Sequence, residues 1–363
     1  MKKLIALLLG AAMIIGLTAC QGNTTPPATE APATQTPATQ APATEVPVES
    51  GEPTVAAEKT GVAIVTGVSK SASAGEEEGK AQTDAMIVAV TVDATGKITN
   101  CVIDSAQTVI SFSAEGKLTT DPATEFKTKQ ELGADYGMAK ASGIGKEWNE
   151  QIDALAAYVT GKTVEEVKGI ALTETTAPAD ADLAASCTIS IGGYLDAIVK
   201  AVESSVEAGA SAGDTLGLGV ITNMSKSKDV SADAEGLAQA YSTYAVVTLN
   251  ADGVITSCVI DASQANVSFD AAGQITSDIT AAVATKNELG ADYGMAKASG
   301  IGKEWNEQAA AFAAYCVGKT MDEVKGIAMD DTGLAADADL LASVTIHIGD
   351  FINVVAKAAE NAK

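Results

Sequence analysis

Residues Glu131 to Gln151 read ELGADYGMAKASGIGKEWNEQ, and residues Glu288 to Gln308 repeat them without a change. The displacement is 157 residues (288 minus 131) and it holds beyond the segment: Cys101 falls on Cys258, Phe112 on Phe269 and Thr188 on Thr345. A fixed period of this size reads as two tandem copies of one domain. Outside the segment the copies have drifted, with SAQTVISFSAEGKLTTD at 105–121 facing ASQANVSFDAAGQITSD at 262–278. The uneven drift marks the segment as intolerant of change, because it packs tightly or because it binds something.

Moving outward, the pattern predicts α+β copies with an antiparallel meander sheet and packed helices. In the first copy, 61–68, 85–92 and 98–103 have strand composition, with 108–113 as a further candidate. Asp93-Ala94-Thr95-Gly96-Lys97 joins two of them as a hairpin turn. In the second copy the corresponding strands are expected at 219–222, 244–249 and 255–260. Within the repeated segment a helical turn is expected at 136–140. A helix over 146–160 then carries Trp148, Ile152, Leu155 and Val159 on one face. Gly161 ends it, and Thr163-Val164-Glu165-Glu166 is a capping box for a short helix. A strand at 186–191 and an amphipathic helix at 194–206 complete the copy.

The chain has 363 residues and a net charge of -24, which argues against binding nucleic-acid backbone or docking directly on anionic lipid. Met1 to Cys20 has the two lysines, short apolar run and small-residue ending of an export signal. Leu17-Thr18-Ala19-Cys20 resembles a bacterial lipobox. That resemblance implies lipid on Cys20 and a protein anchored to the outer face of a membrane, without a spanning helix in its mature form. Seven of the nine prolines lie between 26 and 53, so 21–58 is expected to be an extended linker. The expected divisions are therefore 1–20 signal, 21–58 linker, 59–207 first copy and 208–363 second copy.

No catalytic constellation emerges. The single histidine, His347, faces Ser190 in the other copy, so neither a triad nor a metal site built on it would be shared. Gly161-Lys162-Thr163 imitates the end of a P-loop, but Ala156 stands where the motif needs Gly. Cys187 faces Val344 and Cys316 faces Val159, which is how buried apolar thiols behave. Gly143, Gly145 and Lys146, with Gly300, Gly302 and Lys303, open a helix and form a candidate anion site. Tyr136, Trp148, Tyr293 and Trp305 are the candidates for stacking a planar ligand.

Two features resemble the small FMN-binding domain of exported electron-transfer proteins. One is Val92-Asp93-Ala94-Thr95-Gly96-Lys97-Ile98; the other is the segment before the last helix of each copy. The family carries Asp-x-x-(Ser/Thr)-Gly-Ala-Thr, whose Thr receives FMN through a phosphoester bond. Asp182 to Thr188 and Asp339 to Thr345 keep that spacing. Ser186 and Ser343 stand at the Gly, and Cys187 and Val344 at the Ala. The resemblance implies FMN held by Asp182, Thr188, Asp339 and Thr345. The expectation is a lipid-anchored, non-enzymatic small-ligand-binding protein of the cell surface, the alternative a structural or adhesive one with no ligand.

Overall fold

In a computed structural model that describes residues 55–363, the first half begins with an antiparallel meander of β1 (Ala57–Gly67), β2 (Gly79–Val92) and β3 (Ile98–Phe112). The β2–β3 turn follows its side chains: Asp93 Oδ1 accepts the Thr95 and Lys97 amides at 2.7 and 3.0 Å. Helices α1 (Lys129–Leu132), α2 (Trp148–Val159), α3 (Val164–Lys168), α4 (Ala181–Ala184) and α5 (Gly192–Glu203) follow. Strand β4 (Val206–Ser211) then returns to pair with β1. The second half repeats the plan with β5 (Thr215–Asn223), β6 (Gly236–Leu249), β7 (Ile255–Phe269), α6 (Lys286–Leu289), α7 (Trp305–Cys316), α8 (Met321–Lys325), α9 (Ala338–Leu341) and α10 (Gly349–Glu360). The class is α+β, with sheet orders β3-β2-β1-β4 and β5-β6-β7. Cys20, the signal and residues 21–54 of the expected linker lie outside the described residues.

The two sheets pack face to face, with helices on both outer surfaces. Alternate residues decide the layers, because side chains leave a strand on opposite faces. Ile87 and Ala89 of β2 join Leu216, Leu218, Val220, Tyr244 and Val246 in a core between the sheets. Val88 and Val90 point the other way, to Trp148, Ile152, Leu155 and Ile198 under α2 and α5. Both faces of the central strands are therefore dry. AMIVAVTV at 85–92 is accordingly a near-continuous apolar run rather than an alternating one. Helix α5 lies so close on β1 that a Cβ at Gly61 would stand 2.0 Å from the Ala201 carbonyl oxygen; Gly217 stands equally close to that of Ala358.

Contacts between the halves are reciprocal. Phe112 and Phe269 stack on each other, centroids 4.2 Å apart and planes at 4°. Val230 N–H donates to the Gly116 carbonyl at 2.9 Å, and Ala74 N–H to that of Gly273 at 2.8 Å. Lys357 pairs with Glu131, and Lys200 with Glu288.

Several expected elements are placed differently. Strands β2 and β3 extend to 79 and 112 because their remaining positions carry buried Ser, Thr and Gln, which an apolar pattern does not mark. The turn expected at 136–140 is a 3-10 turn at Gly133–Tyr136, directly after α1. Residues 186–191 form no strand: Thr188 N–H is taken by a side chain of α2 and Cys187 N–H by the Leu183 carbonyl. The helix expected at 194–206 is α5, ending at Glu203. Strand β5 pairs in a register 156 residues from β1 (Gly61 opposite Val90, Gly217 opposite Val247). The connection 224–235 is one residue longer than 68–78.

Candidate functional site

The repeated segment is built around a buried glutamine. Gln151, on the inner face of α2, is fully buried; its Nε2 donates to Ser142 Oγ at 3.2 Å and to the Lys146 carbonyl at 3.0 Å. Its Oε1 accepts the Thr188 amide at 2.9 Å and the Thr188 hydroxyl at 3.1 Å. Gln308 does the same for Ser299, Lys303 and Thr345. A buried amide needs its partners, so one side chain binds the glycine-bearing loop to the segment before the last helix. Gly145 and Gly302 close that loop at φ +66° and +65°, a conformation that favours glycine.

The helix start expected to hold an anion is already supplied with carboxylates. Glu147 caps α2 and accepts Met138 N–H at 2.7 Å, while Glu150 accepts Glu147 N–H at 2.8 Å. An added anion would meet both negative charges, so Gly143, Gly145 and Lys146 are loop-forming residues here, as are Gly300, Gly302 and Lys303 beside Glu304 and Glu307. Trp148 is buried against Tyr194 at 6.3 Å between centroids. Asp182 and Asp339 lie on exposed surface in the first turns of α4 and α9.

A cleft of about 730 Å³ opens beside the segment in the second half. Of the residues singled out in the sequence, Tyr293, Trp305 and Thr345 line it; Gly300, Gly302, Lys303 and Asp339 do not. Tyr241, Lys286, Asp350, Lys226 and His347 are among its other lining residues. Lys286 is only 4% exposed, yet Nζ stands 4.7 Å from the ring centroids of Tyr241, Tyr293 and Trp305 and donates to Tyr241 Oη at 2.9 Å. Among the described residues no carboxylate reaches it at salt-bridge distance. Burial lowers its pKa from 10.5 to about 8, against the opposing charge of Asp261. Asp261 is itself raised to about 6 by burial, an effect moderated by hydrogen bonds from Thr285, Asn287 and Ala262.

The same surface of the first half is furnished differently. Asp84 stands at the position of Tyr241 and pairs with Lys70 at 3.0 Å. Gly193 stands at Asp350, with Met86 packed so closely that a Cβ there would lie 3.2 Å from the Met86 methyl. Thr243 replaces that methionine in the second half. Lys129 lies over Tyr136 and Trp148 at 4.7 and 5.4 Å, lacks a third ring and is half-buried. The useful signal in the sequence was thus divergence between the halves at 84/241 and 193/350, not identity. Comparison of the chain with protein-family models, curated proteins and solved structures gave no match.

Proposed function

We propose that the chain is two tandem copies of one domain, anchored outside a membrane through lipid on Cys20, in which the second copy alone binds a planar, anionic small molecule without catalysing a reaction. The observation that carries this reading is the Lys286 cleft. In a chain of net charge -24, its wall has two lysines, Lys226 and Lys286, against one carboxylate, Asp350. A low-dielectric wall with that balance concentrates anions. Trp305, Tyr293 and Tyr241 offer aromatic surface to a flat ligand, and the volume suits a cofactor-sized molecule.

FMN is the first ligand to test, because Thr345 reaches the cleft and its hydroxyl is held by Gln308 Oε1 at 3.3 Å. The Trp148→Phe variant leaves Trp305 as the only tryptophan. Its fluorescence should be quenched to saturation by one equivalent of FMN, and Lys286→Met should weaken binding at least tenfold. Absence of quenching by FMN, and by simple aromatic acids, would remove the binding function. The structural or adhesive reading would then stand, favoured by one observation already described: much of the identical segment caps, turns or bridges within the fold.

A further inference from the structure

Lys286 is placed for more than charge pairing. Its Nζ is surrounded by three rings that are themselves cleft wall, and among the described residues its one hydrogen bond runs to the phenol of Tyr241. A lysine without a carboxylate partner, desolvated by apolar walls, is the arrangement in which an ammonium gives way to a nucleophilic amine. Resting on the reading that the cleft admits a planar acid, we propose that Lys286 forms a Schiff base with an aldehyde or ketone carried by that ligand, with Tyr241 as proton donor.

The step balances without an oxidant or reductant. The Nζ lone pair forms a bond to the carbonyl carbon, the carbonyl π pair moves to oxygen, and a proton passes from nitrogen to that oxygen. Tyr241 then protonates the resulting hydroxyl, water leaves, and the C=N bond forms as nitrogen gives up its remaining proton to the phenolate. Amine and carbonyl become imine and water. Burial keeps the Tyr241 phenol protonated well past neutral pH, so it has a proton to give. With Lys286 at about 8, roughly a tenth of it is free amine at pH 7. The ring faces favour the ammonium, so labelling is best run at pH 9.

The test uses the full chain with 4-carboxybenzaldehyde, a flat acid bearing one aldehyde, and borohydride to reduce the imine. Peptide mapping should find the adduct, with the mass of the aldehyde less one oxygen, on Lys286 at least tenfold above any other lysine. Lys129, its counterpart in the first half, serves as internal control. Excess 4-methylbenzoate, which has the acid but no aldehyde, should suppress the labelling, and Tyr241→Phe should slow it about tenfold. Adducts spread over the surface lysines, with Lys286 no richer than Lys129, would overturn the covalent step. If 4-methylbenzoate still quenched Trp305 in that case, the binding function would survive it. If neither compound entered the cleft, both would fall together.

Discussion

The two halves share a scaffold and differ in one corner. Lys129 and Lys286, Tyr136 and Tyr293, Trp148 and Trp305 are the same residues in the same places. In the first half the corner is closed by the Lys70–Asp84 pair and by Met86 lying on Gly193. In the second, Tyr241, Thr243 and Asp350 leave a cleft with a buried lysine at its wall. The identity of the segment records what the fold needs: caps, tight turns and the glutamine bridge. What is special to one half lies where the two halves differ in sequence.

The most direct way to break that contrast is to move the corner. Installing Asp84→Tyr, Met86→Thr and Gly193→Asp together should give the first half its own cleft, raising the stoichiometry of planar acid from one per chain to two by calorimetric titration. Met86→Thr is included because the Met86 methyl stands 3.2 Å from where a Cβ at 193 would lie. Stoichiometry that stays at one would show that other positions close the corner.

The scaffold should respond symmetrically where the cleft does not. Phe112→Ala and Phe269→Ala each remove half of one buried stack, and each should cost about 3–5 kcal/mol in urea unfolding. The double variant should cost less than the sum, with a coupling of roughly 0.5–1.5 kcal/mol. Clearly unequal single losses would argue against a reciprocal interface.

The pH dependence should separate the halves again. Lys286 has a folded pKa of about 8 against an ordinary 10.5. Between those values the unfolded chain binds a proton that the folded chain does not, so this group makes stability rise with pH, by about 3 kcal/mol. Lys286→Met should abolish that rise. Asp104 and Asp261 give the opposite slope in both halves, each raised to about 6 by burial. The folded protein retains their protons longer, so their contribution falls as pH rises from about 4 to 6. The smallest effect belongs to the ion pairs between the halves. Lys357→Met and Lys200→Met should each cost below about 1 kcal/mol, the former more, because the Lys357 side chain is 25% exposed against 45% for Lys200. Thermal melts at low and high salt would check it.

Much of the scaffold could be read from residues alone. The Asp93–Lys97 hairpin, the α2 face through Trp148, Ile152, Leu155 and Val159, and the Thr163 capping box all stand as expected. These are local signals, set by neighbours within a few positions. The strands were read, but the sheet-on-sheet packing was hidden because the residues that cover the second face of β2 lie in β5 and β6, more than 100 positions away. Residues 186–191 were misread because a β-branched run does not reveal that the Thr188 amide is claimed from 37 residues away. Of the cleft, Tyr293, Trp305 and Thr345 were legible; Tyr241 and Lys286 were not, since only the fold brings β6 beside α6.

The Phe112–Phe269 stack also bears on how the chain comes into being. Until residue 269 has been synthesised, the ring of Phe112 lacks its stacking partner, and the face of β2 beside it waits on β5 and β6 for its cover. A chain made from its N-terminus therefore stays unfinished for most of its length, exposed to aggregation and to proteases meanwhile. For the exported protein proposed above this delay is useful: a polypeptide that cannot lock early can still be threaded through a narrow translocation pore.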